Sequence, residues 1–100
     1  MDDREERWAA WMRAANRGDA AAYRRFLGEV AGVLRATAAR RMSRLGLDAH
    51  EAEDVVQEAL VGIHQKRATW DETRPILPWV HAIGRYKMLD AARRHGRRWR

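Results

Sequence analysis

Apolar residues recur at spacings of three and four along nearly the whole chain, the pattern of helices with one greasy side. Trp8, Trp11, Met12 and Ala15 make the first stripe, with Asp2 or Asp3 placed to cap it and Glu5 and Glu6 in an opening turn whose dipole favours acids. This predicts a helix over about 3–16, halted by Asn16-Arg17-Gly18 with Gly18 suited to a left-handed terminus. Asp19 can cap a second helix over 19–45, with a stripe of Tyr23, Phe26, Leu27, Val30, Leu34, Thr37, Ala38, Arg41, Met42 and Leu45. Gly28 and Gly32 lower its propensity and offer close helix packing, and Gly46 stops it. Asp48 followed by Glu51 is a capping box that opens a third helix over 48–66. Residues 67–77, RATWDETRPIL, break the period, because Asp71, Pro75 and the position before Pro78 favour turn or extended backbone. Pro78 suits the first position of a fourth helix over 78–96. No alternating strand pattern persists, so the fold class is all-α, a compact bundle of four helices in one domain over 1–100.

The third helix has two distinct sides. At 100° per residue, Ala52, Val55, Val56, Ala59, Leu60 and Ile63 gather on one face, which is core. Asp54, Gln57, Glu58 and Val61 lie opposite. A valine ringed by acids and an amide is either a stray surface residue on a solvated face or an apolar anchor with a polar rim, suited to a basic partner.

Composition narrows the function. At 46% hydrophobic with five tryptophans, the chain can bury a core. It has no cysteine, which excludes disulfides and thiolate metal sites, and no apolar run approaches the roughly 20 residues that cross a bilayer. No signal-peptide pattern opens MDDREERW, and the default is a cytoplasmic protein without membrane insertion. Glu53, Asp54 and Glu58 lack the Glu-x-x-His pairing of carboxylate metal helices, and neither a phosphate-binding Gly loop nor an H-E-x-x-H motif occurs. The expectation is a protein that is not an enzyme, with no catalytic residue, metal or cofactor. The net charge of +6 is one-ended: residues 1–80 balance 13 basic against 13 acidic side chains, whereas 81–100 carry 7 against Asp90 alone. Such a block is either a nucleic-acid contact or a solubilising tail. Asp90 falls near the apolar side and needs a partner, for which Arg93, Arg94 and Arg41 are candidates.

Three pieces in order carry a resemblance: A-E-D-V-V-Q-E on the third helix, P-W-V-H-A-I at the start of the fourth, and L-D-A-A-R-R before a basic end, with G-D-A-A-A-Y-R-R-F upstream. Over about residues 16–98 the chain resembles region 2 of bacterial sigma factors of the extracytoplasmic-function group. The resemblance implies a bacterial, cytoplasmic transcription-initiation domain. It docks on the clamp helices of the RNA polymerase β′ subunit and captures the melted −10 promoter element as single-stranded DNA, with an anti-sigma factor as a further partner. Asp54, Gln57 and Glu58 match polymerase-contacting positions, with Val61 as anchor. The loop 67–77 matches the segment that pockets a flipped base and sets specificity; Arg67, Thr69, Trp70, Asp71, Glu72, Thr73 and Arg74 are its candidates. Trp70 is equally suited to a base platform or to the core. Trp79 reads as core, on an apolar face with Ala82, Ile83 and Tyr86. Arg85, Lys87, Arg93, Arg94, Arg97 and Arg98 are expected on phosphates, which position a strand without reading it. Departures are Tyr86, where many relatives have Asn, and Gly84, where they have Ala. A second helix-turn-helix domain for the −35 element, present in whole factors of the group, is not found in these 100 residues. Two alternatives stand beside this reading: a helical module that binds duplex DNA, and a regulatory interaction domain that binds none.

Overall fold

The computed structural model describes residues 3–44, 46 and 48–98, the side chains of 95–98 excepted. These form α1 (Arg4–Asn16), α2 (Ala20–Arg44), α3 (Ala49–Gln65), a 3-10 turn (Arg67–Thr69) and α4 (Ile76–Arg98), with no strand among the described residues. α2 packs on α1 and α3, and α4 closes the bundle against α3 with contacts to α1 and α2. Asp2, Leu45 and Arg100 lie outside the described residues.

Local chemistry explains four of the helix boundaries. Gly18 at φ 101° ends α1, and the Asp19 carboxylate accepts from Ala22 N–H at 3.0 Å to start α2. Gly46 at φ 78° turns the chain after α2, and Asp48 accepts from Glu51 N–H at 2.8 Å to open α3. Asp3 stands before α1 but makes no cap bond; its carboxylate pairs with Arg7 instead.

The start of α4 is set from across the molecule. α4 begins at Ile76 rather than at Pro78, and Leu77 is helical although a proline follows it. The residue before it, Pro75, has no side-chain acceptor. Glu5 of α1 supplies one, its two oxygens accepting from Ile76 N–H at 2.8 Å and Leu77 N–H at 2.9 Å. Pro78 then falls within the first turn, where an N–H has no partner inside the helix anyway. Glu5 is therefore a cap for another helix rather than for its own.

The core is one cluster. Trp8, Met12, Phe26, Val30, Met42, Val56, Ile63, Ile76 and Val80 are its largest fully buried side chains. Trp8 meets Phe26 edge-on at 5.8 Å, and its indole N–H donates to Glu29 at 3.0 Å, where Arg7 also binds at 2.7 Å. The α3 core face is as the periodicity requires, with Leu60 half-buried at its edge. The two glycines expected to permit close packing on α2 do not: a Cβ at Gly28 or Gly32 would meet nothing, because both sit on the outward side. The close approaches are at Gly62, whose Cβ would lie 3.3 Å from Ile83 Cγ2, and at Gly84, 2.9 Å from Leu34 Cδ2. Gly84 is thus a packing position between α2 and α4.

Replacing Glu5 with Ala leaves two helix N–H groups without their acceptor and is expected to cost about 1–2 kcal/mol. In a domain of this size that lowers Tm by roughly 4–8 °C per kcal/mol, measurable by circular dichroism. Gln at position 5 should recover part of the loss, and an unchanged Tm for the Ala variant contradicts the cross-helix cap.

Candidate polymerase- and nucleic-acid-binding surfaces

The outward side of α3 holds Asp54, Gln57, Glu58 and Val61 together. Val61 is 53% exposed, so it is neither core nor covered by the chain's own residues. Its polar neighbours are held by surface contacts. His50 lies 3.6 Å from Asp54 one turn earlier, Gln57 donates to Glu53 at 3.2 Å, and Glu58 receives Arg94 of α4 at 3.0 Å. Glu53, at the border of this face, is bound in bidentate fashion by Arg35 of α2 at 2.8 and 2.9 Å. That contact, with a smaller contribution from Gln57, holds the Glu53 carboxyl down at about 2.

The loop after α3 is pinned to α1. Arg13 donates from Nε and Nη2 to the Glu72 carbonyl at 3.2 and 2.8 Å, Asn16 donates to the Glu72 carboxylate at 3.0 Å, and Arg13 also lies 5.7 Å over the Trp70 ring. Trp70 is 5% exposed, which resolves its two readings: it is a core residue, and its buried face is no platform for a base in this conformation. Its indole N–H has no acceptor among the described residues. Thr69 is committed as well, donating to the Lys66 carbonyl at 2.6 Å and accepting from Trp79 Nε1 at 3.2 Å. Asp71 accepts from the Thr73 hydroxyl at 2.6 Å and the Thr73 N–H at 2.9 Å, which lowers its carboxyl, and Arg74 adds a weaker pairing at 3.6 Å. Asp71, Thr73 and Arg74 are exposed and lie together in one self-bonded turn. Arg67 stands apart from them, its guanidinium 4.7 Å over the Tyr23 ring, while Tyr23 bonds His64 at 2.8 Å.

On α4 the apolar side differs from expectation. It runs through Ile76, Val80, Ile83, Gly84, Met88 and half-buried Ala91. Tyr86 is 56% exposed and Ala82 is exposed, so neither joins the core; Trp79 is half-buried against it. Ile76, assigned to the loop by its prolines, is the first core position, and at 100° per residue the buried side centres near it and Val80, away from Tyr86. Trp79, Ala82, Tyr86, Leu89 and Arg93 instead share an outward stripe at helical spacing, with Leu89 52% exposed. Two cations flank its middle, Lys66 Nζ at 5.8 Å and Lys87 Nζ at 5.9 Å from the Tyr86 ring. Sequence reasoning left Tyr86 and Lys66 out of the candidate set; the signal available was the mismatch between Tyr86 and a face centred on Ile76.

The basic side chains of α4 do not form one surface. Arg85 is outward, Lys87 lies against Gly62 and Tyr86, Arg93 pairs with Asp90 at 3.7 Å, and Arg94 is folded onto Glu58 and Asp90. Both neighbours expected for Asp90 on its own helix are present. The side chains of Arg97 and Arg98 lie outside the described residues. No group of three metal-ligating side chains occurs among the described residues, and no helix there is long and apolar enough to cross a membrane.

Comparison with known proteins gives the class. The Sigma-70 region 2 family model matches residues 22–98. The chain is 45% identical over 94 residues to the ECF RNA polymerase sigma factor SigF of Caulobacter vibrioides (strain NA1000 / CB15N), an alignment covering 94% of this chain and 51% of that protein. No solved structure matches. The chain belongs to the Sigma-70 region 2 family, and the resemblance to the extracytoplasmic-function group read from its motifs holds. It spans about half the length of the curated relative it matches.

The depressed Glu53 carboxyl has a pH consequence. Its ordinary value is about 4.3, so the Arg35–Glu53 contribution is fully present above that pH and is lost as pH falls toward about 2. A carboxyl-carbon NMR titration should place Glu53 near 2 in the parent and return it toward the ordinary value in Arg35→Gln. Titration of the parent at the ordinary value contradicts the bidentate pair.

Proposed function

We propose that this chain is the promoter-melting domain of a bacterial transcription-initiation factor, working in the cytoplasm as a binding module rather than an enzyme. In this reading α3 docks on the β′ clamp helices of RNA polymerase core, and the loop with α4 holds the melted −10 element as single-stranded DNA. The observation that carries it is the outward side of α3: an exposed Val61 among Asp54, Gln57 and Glu58, directly opposite the core face, in a chain of the Sigma-70 region 2 family. An apolar anchor inside a rim of acceptors fits a basic helical partner.

The DNA side follows from α4. A single strand needs flat surfaces for bases and cations for phosphates. Tyr86 between Lys66 and Lys87 offers both at one place, with Arg85 and Arg93 along the same helix. The exposed turn of Asp71, Thr73 and Arg74 supplies edge donors and acceptors near the chain's entry to α4. Thr69 and Trp70 act through the scaffold, because their polar and aromatic groups are engaged within it. An anti-sigma factor that covers these surfaces belongs to the same reading.

A β′ clamp-helix fragment should be retained by the parent protein, and Val61→Lys or Asp54→Lys should weaken retention at least tenfold, as expected for a buried interface anchor, with Tm unchanged. In parallel, a single-stranded −10-like oligonucleotide should bind more tightly than the same sequence as duplex, with affinity falling steeply as salt rises. Undiminished retention of the Lys variants overturns the docking face. Preference for duplex favours a helical duplex reader instead, and absence of DNA binding at moderate salt favours a regulatory interaction domain.

A further inference from the structure

Arg94 and Glu58 were expected to serve different partners, a DNA phosphate and a polymerase cation. The structure joins them. Both terminal nitrogens of Arg94 lie within 3.3 Å of Glu58 Oε1, Nη2 also reaches Oε2 at 3.0 Å, and Nε faces Asp90 at 3.6 Å. A phosphate binds arginine through these same paired N–H groups, and a cation on a docking partner needs the same carboxylate oxygens. The closed pair therefore competes with both partners for the same atoms. The pair spans 36 residues and bridges α3 to α4, so it lies between the two proposed surfaces. The side chains remain 46% and 37% exposed, which leaves the contact open to competition.

We propose that the Glu58–Arg94 pair couples polymerase docking to strand capture: in the free chain Glu58 withholds Arg94 from phosphate, and a partner cation that takes Glu58 releases it. This rests on the functional reading above and adds its regulation. After release Arg94 keeps Asp90, a neighbour on its own helix that also pairs with Arg93, and its hold on α3 falls to a weaker electrostatic attraction to Asp54. The linkage is reciprocal, since a strand that engages Arg94 bares Glu58 for the polymerase. For a half-exposed ion pair the coupling should be about two- to fivefold in affinity.

The test is a double-mutant cycle read by binding of a labelled single-stranded oligonucleotide at low salt, using the parent, Glu58→Ala, Arg94→Ala and the double variant. Removing Glu58 also removes one negative charge, which favours DNA in any background; the Arg94→Ala background measures that general effect. Glu58→Ala should strengthen binding about two- to fivefold more with Arg94 present than without it. An equal gain in both backgrounds overturns the coupling while leaving strand capture intact. No binding by any of the four proteins overturns the coupling and the strand-capture reading together.

Discussion

The carboxylate of Glu5 sets the start of α4, and much of the architecture follows from that one contact. A helix N-terminus needs acceptors for its first N–H groups, and here Glu5 of α1 supplies them. By capping Ile76 and Leu77, α1 decides where α4 begins and brings Ile76 into the helix as a core position. Ile76, Val80 and Ile83 then face the core, Gly84 meets Leu34 of α2, and the Tyr86 stripe faces out. The same α1 holds the preceding loop through Arg13 and Asn16 on Glu72. One short helix thus positions both the loop and the helix that the proposed DNA contact uses.

α3 supplies the second constraint. Its apolar side is consumed by the core, so the opposite side has no intramolecular use beyond pairing at its edges. Arg35 and Arg94 bind the Glu53 and Glu58 carboxylates, His50 lies beside Asp54, and Val61 stays exposed among them. Close contact of α3 with α4 at Gly62 brings the two proposed binding surfaces within one side chain of each other. This proximity is what allows a single ion pair to belong to both. An exposed pair of this kind adds little to stability and is easily exchanged, a property suited to a contact that must open on binding.

Much of the fold was legible because its signals were local. The starts of α2 and α3 were readable, since Asp19 and Asp48 sit beside the N–H groups they cap. The inward and outward sides of α3 were readable from period alone, including the outward position of Val61. What failed was set at long range. The α4 start depends on a residue 71 positions away, and with it went the place of Tyr86. Gly28 and Gly32 had the spacing for close packing but no helix beside them, whereas Gly62 and Gly84 carried no such signature. The Arg94–Glu58 contact crosses between helices, so nothing in the sequence local to Arg94 announces it. Trp70 was balanced between two roles, and only its burial decides for the core.

We propose the outward side of α3 as the docking surface for the polymerase clamp. Mapping backbone NMR shifts of this chain as an unlabelled β′ clamp-helix fragment is added tests it most directly. The largest changes should fall on Asp54, Gln57, Glu58 and Val61, while Arg24, Arg25 and Gly28 on the outward side of α2 stay unmoved. Changes centred on α2 with α3 silent would contradict it.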